Sequence, residues 1–118
     1  MKKLLLSVSL VLLANGGNIS DYKKSCDNGI GSGCWLVAYD YEYGKDGVKQ
    51  DYFKAVEYYK KGCKLNDGSS CCNLGYLYEY GQGVRQNKSI AKNYYGKACD
   101  LKSQLGCKNY SILNSQGY

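Results

Sequence analysis

Apolar side chains along this chain recur at helical spacing. Phe53, Val56, Tyr59 and Cys63 fall on one face of a helix, and Ile90, Tyr94 and Ala98 repeat that face further on. Cys71, Leu74, Gly75 and Tyr78 define a second kind of helix, running from about Ser69 to Tyr80. Polar residues punctuate these runs. Asp51 and Asn87 stand where side-chain oxygens can accept from the free N–H groups of a first turn. The Asn66-Asp67-Gly68 stretch reads as a turn, and Gly81 stops the second helix, as Gly44 and Gly117 stop its equivalents. Proline is absent, and the predicted turns are short. The pattern therefore predicts helix hairpins and no sheet.

The hairpins repeat. Cys63 and Cys99 are 36 residues apart, as are Cys71 and Cys107; Cys26 precedes Cys63 by 37, because the Gly44–Val48 loop is one residue longer than Gly81–Val84. Three units follow: residues 17–50, 51–86 and 87–118, the first with its opening helix shortened to roughly Asn18–Cys26. Each unit places two cysteines eight positions apart, one in the last turn of a helix and one in the first turn of the next. An antiparallel pair brings those ends together, so repeat symmetry selects Cys26–Cys34, Cys63–Cys71 and Cys99–Cys107 from the possible pairings. The expected fold is an all-α solenoid of disulfide-stapled hairpins.

Leu74-Gly75-x-x-Tyr78, Gly81-x-Gly83-Val84 and Ala91-x-x-Tyr94-Tyr95-x-Lys97-Ala98-Cys99 resemble the Sel-one-like repeat, a relative of the tetratricopeptide repeat. With the cysteine pairs added, nearly the whole chain after its first residues resembles the Helicobacter cysteine-rich proteins. The resemblance implies a right-handed α/α solenoid, secretion, and one disulfide per repeat. It also implies penicillin binding with weak β-lactam hydrolysis, as well as roles at the host interface.

Ahead of the repeats, Lys2 and Lys3 precede the apolar run Leu4–Ala14, too short to span a bilayer, which needs about 20 residues. Residues 1–16 read as a secretory signal peptide with cleavage after Gly16, and export to the periplasm or the extracellular space suits a chain with seven cysteines. Removing the leader's two lysines leaves fourteen basic against ten acidic residues, a mild surplus read as a solvated face, and nothing resembles a nucleic-acid motif.

Candidate chemistry is sparse. Histidine is absent, which removes the commonest general base; no metal site and no cofactor are expected. Ser20-x-x-Lys23 and Ser89-x-x-Lys92 match the serine β-lactamase nucleophile motif, but neither Ser-Asp-Asn nor Lys-Thr-Gly occurs, so catalytic residues stay unassigned. Glu42 and Glu79 are repeat-equivalent and read as local helix-end hydrogen-bonding groups. Cys72 has no cysteine counterpart, since Trp35 and Lys108 hold its position; it is a half-buried thiol of no function, a reactive site, or the link of a covalent dimer. Cys72, Tyr76, Glu79 and Tyr80 form a stripe on the second helix opposite its core face, and Trp35, Tyr39, Glu42 and Tyr43 repeat it. The tetratricopeptide likeness puts this stripe on the concave side, as a groove for a protein, a peptide or a cell-wall or β-lactam ligand, unless the rings only pack between repeats. A binding module is the leading reading, with a weak β-lactamase as its rival.

Overall fold

A computed structural model describes residues 17–118. The predicted signal peptide, residues 1–16, lies outside the described residues. Six helices follow in order: α1 (Ile19–Asp27), α2 (Gly31–Tyr43), α3 (Tyr52–Lys64), α4 (Gly68–Tyr80), α5 (Lys88–Asp100) and α6 (Gln104–Ser115). No strand occurs among the described residues. The starts are set by side chains. Asn18, Asp51, Asp67, Asn87 and Ser103 each cap a helix by accepting from the backbone N–H three residues on. Gly44 and Gly81 end α2 and α4 in the left-handed conformation, at φ 65° and 68°, and their N–H groups close on Asp40 and Leu77 carbonyls.

Helix α2 lies along α3, and α4 along α5, over longer stretches than the pairs joined by disulfides. The even-numbered helices also touch one another, α2 with α4 and α4 with α6, and the odd ones stand further apart. The array therefore curls with α2, α4 and α6 inside and α1, α3 and α5 outside. All three predicted disulfides form, with Cα separations of 4.5, 4.6 and 4.4 Å in chain order. Helices meet this closely because a glycine adjoins each bridge. A Cβ on Gly33, Gly62 or Gly106 would lie 2.6, 2.2 or 2.7 Å from Ser25, Ser70 or Ala98.

The core is built from Val37, Ala38, Ala55, Val56, Tyr59, Leu74, Leu77, Ala91, Tyr95, Ala98 and Leu113. Val56, Tyr59, Cys63 and Ala98 of the expected outer-helix faces are buried, but Phe53 and Ile90, which open those faces, are not. Phe53 is 77 % exposed and Ile90 also faces solvent, whereas Ala55, Tyr59, Ala91 and Tyr95 are fully buried. Small side chains let the inner helix approach, and the buried tyrosines fill the space so opened. Gly75 shows the closeness: a Cβ there would stand 2.8 Å from the Tyr95 ring. Between hairpin partners Tyr41 stacks on Tyr58 and Tyr78 on Tyr94, with centroids 6.1 and 5.5 Å apart.

Candidate functional site

The aromatic stripe sorts into a floor and a rim. Cys72 and Glu42 are buried, at 4 % and 5 % exposure, while Tyr43, Tyr76 and Tyr80 are about half exposed. The rings stack along their own helices and not between repeats. Trp35, Tyr39 and Tyr43 form a column down α2 with centroids 5.0 and 4.7 Å apart, and Tyr76 and Tyr80 pair on α4 at 4.6 Å. A cavity of about 200 Å³ opens where α2, α4 and α6 face one another, lined by Glu42, Tyr43, Cys72, Asn73, Tyr76, Leu105 and Asn109. Tyr43, Cys72 and Tyr76 of the predicted stripe come together there. Trp35, Tyr39 and Tyr80 belong to the two ring columns beside it.

Glu42 does different work from the helix-end role expected of it. Its Oε1 accepts from the Tyr59 hydroxyl at 2.6 Å, and in the next repeat Glu79 Oε1 accepts from Tyr95 at 2.7 Å. The helix ends are bonded instead by Gln50 and Gln86, whose side-chain amides donate to the carbonyls of Glu42 and Glu79 at 2.8 and 2.9 Å. Helices α2 and α4 thus each present a glutamate to a buried tyrosine of the outer helix that follows. Burial pushes the Glu42 carboxyl above the ordinary range, and the hydrogen bonds from Tyr59 and Tyr43 pull it partly back. Tyr59 and Tyr95 are pushed well up, first by burial and then by the glutamate each one bonds, so both stay protonated donors.

Asn73 extends this link across the groove. Its amide nitrogen donates to the Tyr59 hydroxyl at 2.9 Å, and that hydroxyl donates in turn to Glu42. Asn73, Tyr59 and Glu42 therefore connect α4, α3 and α2 beneath the cavity. Asn109 repeats Asn73 on α6. The glutamate–tyrosine link was not expected from the chain, where its one signal is the recurrence of Glu42 and Tyr59 as Glu79 and Tyr95.

Cys72 is the one free cysteine among the described residues and is buried. Burial raises its thiol pKa, with a hydrogen bond to Ser103 acting the other way. This placement fits the packed thiol, because a Cys72-linked dimer would first require α4 to open from α6. The native oxidised protein is expected to resist iodoacetamide at neutral pH and to take up one equivalent once unfolded in guanidinium. Rapid labelling of the native chain, read by mass spectrometry, would place the thiol outside.

Ser89 is exposed in the first turn of α5, and Lys92 Nζ donates to Asn114 Oδ1 and to the Tyr118 carbonyl. Among the described residues no three His, Cys, Asp or Glu side chains cluster as metal ligands, and no helix is long and apolar enough to cross a membrane.

The Sel1 repeat family model matches residues 31–67 and 68–103. Each matched unit runs from an inner helix through the outer helix after it, so the disulfides join one family unit to its neighbour. No curated protein matches the chain. Among solved structures, Helicobacter pylori cysteine rich protein B is 40% identical, at a TM-score of 0.73, covering 76% of this chain and 67% of that one. Two more distant structures share the fold. A Sel1 repeat protein from Oxalobacter formigenes is 22% identical, with TM-score 0.73, over 77% of this chain and 68% of its own. The uropathogenic Escherichia coli protective antigen c5321 is 24% identical, with TM-score 0.78, over 84% of this chain and 21% of its own.

Proposed function

The chain belongs to the Sel1 repeat family, among the Helicobacter cysteine-rich proteins, and we propose that it works as a binding module whose ligand lies in the concave groove. The fold is that of an interaction module. The observation that carries the reading is the cavity between α2, α4 and α6, with exposed Tyr43 and Tyr76 at its rim and the buried Glu42 carboxyl in its floor. Such tyrosines supply large contact area at little entropic cost. At about 200 Å³ the cavity is smaller than the roughly 300–1,000 Å³ of a drug-sized site. It suits one anchoring side chain of a longer protein or peptide better than a whole β-lactam. Export belongs to the same proposal and rests on the three disulfides, which persist in oxidising compartments.

The test starts from a peptide library displayed on phage and selected on the oxidised protein. Peptides so obtained are expected to bind Tyr43→Ala and Tyr76→Ala at least about tenfold more weakly, a hot-spot loss of roughly 1.4 kcal/mol or more. Phe53→Ala, on an exposed outer position, should bind them as wild type does. Equal binding by all three variants would move the site off the groove. Turnover of a chromogenic cephalosporin by the purified wild type would restore the weak hydrolase as the better reading.

A further inference from the structure

The outer helices end in lysines on the side away from the groove. Lys24, Lys61 and Lys97 hold one repeat position, each in the last turn of α1, α3 or α5. One such lysine per helix complements the negative end of the helix dipole, and that alone would account for the row. Two observations go further. Helix α3 carries Lys60 and Lys64 beside Lys61, more than the dipole calls for. The outer helices also stand apart, and a cleft of about 500 Å³ opens between α3 and α5, walled by Lys60, Lys61, Lys64 and Lys97 with Glu57 and Tyr94. Four ammonium groups share that cleft with one carboxylate. Like charges so gathered repel unless an anion lies among them. Aromatic rings steady two of the lysines, Lys61 Nζ 4.7 Å from the Tyr58 centroid and Lys60 Nζ 6.0 Å from that of Tyr78.

We infer that the convex face of α1, α3 and α5 binds an acidic polysaccharide, with Lys60, Lys61, Lys64 and Lys97 at the centre of the contact and Lys24 continuing it along the array. A row that recurs from repeat to repeat spreads its charge along a line, which matches a linear polyanion better than a single phosphate. The cleft offers ammonium donors to sulfate or carboxylate groups and to sugar hydroxyls. An acidic polypeptide would bring backbone N–H groups to a wall made mostly of donors. A nucleic acid would seek open ring faces for its bases, and Tyr58 and Tyr94 already stack on Tyr41 and Tyr78. This surface faces away from the groove, so its test stands apart from that of the proposed ligand site.

The experiment is calorimetric titration of the full oxidised chain with a heparin-derived dodecasaccharide. Two charge-matched variants accompany the wild type. Lys61→Glu/Lys97→Glu alters the cleft, and Lys49→Glu/Arg85→Glu alters the repeat-equivalent loops at the opposite edge. Wild-type affinity is expected to fall at least about tenfold between roughly 50 and 300 mM salt. The cleft variant should lose about tenfold or more at low salt, and the loop variant about twofold or less, since net charge alone carries little. Circular dichroism reports folding. If the glutamates unfold the chain, Lys61→Gln/Lys97→Gln should still lose roughly threefold to fivefold. Equal losses in cleft and loop variants, or no salt-sensitive binding, would overturn the inference. Tighter binding of polyglutamate or of single-stranded DNA of equal charge would overturn the polysaccharide as occupant.

Discussion

Reduction of the three disulfides is expected to abolish the cooperative fold at room temperature. Each bridge closes a loop of eight residues' separation, which in the chain-entropy model stabilises the folded state by about 2.5 kcal/mol. Three such terms come to roughly 7 kcal/mol, against a total stability of about 5–15 kcal/mol for an ordinary domain. The bridges also sit at the weaker joints. Hairpins α2–α3 and α4–α5 are held by long contacts, and the α3–α4 junction between them packs over a shorter stretch. Losing Cys63–Cys71 therefore uncouples the two family units. Circular dichroism melts with and without a phosphine reductant make the comparison. The expected result is loss of the thermal transition on full reduction. A Cys63→Ala/Cys71→Ala variant should melt about 10–20 °C lower. The pair is replaced together because a lone Cys71 would stand beside Cys72 and could exchange with another bridge. A melting temperature that falls by less than about 5 °C on full reduction would show that helix packing alone carries the array.

The repeat and its bridges could be read from the chain because their signal is a register: eight between cysteines, then 36 or 37 to the next copy. Register survives whatever the side chains do. The core face of the outer helices was harder. Hydrophobic weight favours Phe53 and Ile90, yet burial goes to Ala55 and Ala91, whose small size admits the inner helix. Close approach is a property of a pair of helices, and spacing within one helix does not reveal it. Glu42 and Glu79 misled for the same reason. Their partners lie 17 and 16 residues on in another helix, and a pattern read locally assigns them to the nearest helix end. The aromatic stripe was visible, but its division into a floor of Cys72 and Glu42 and a rim of Tyr43, Tyr76 and Tyr80 follows from the curl of the array.

Replacing Asp40 with leucine is expected to stabilise the protein, and more so at neutral than at acid pH. Repeat alignment puts Asp40 at the position of Leu77 and Leu113, both fully buried in the core. Asp40 is itself only 3 % exposed, and its Oδ2 has no hydrogen-bond partner among the described residues. The longer first loop brings Asp46, in the left-handed region at φ 51°, close beside it. Burial first, then the Asp46 carboxyl, raise the Asp40 pKa to about 7, with Lys45 opposing and the Tyr22 hydroxyl of α1 facing the pair. An unfolded aspartate titrates near 3.9. The folded state therefore holds this proton more tightly, and folding is favoured most where the carboxyl is protonated. As pH rises from about 4 to about 7 that advantage is lost, and above 7 a buried charge is carried beside Asp46. Every tenfold gain in proton affinity on folding corresponds to about 1.4 kcal/mol, so the neutral-pH cost is on the order of 2–4 kcal/mol, less whatever Lys45 and relaxation recover. Asp40→Leu should raise the melting temperature by roughly 10 °C or more at pH 7.5, and by clearly less at pH 4.5. Asp40→Asn separates charge from shape: it should flatten the pH dependence without restoring leucine packing. Denaturation curves of all three proteins across this range decide the matter. A stability difference between wild type and Asp40→Leu that stays constant from pH 4.5 to 7.5 would mean that packing volume, and not the buried proton, sets the cost of aspartate at this core position.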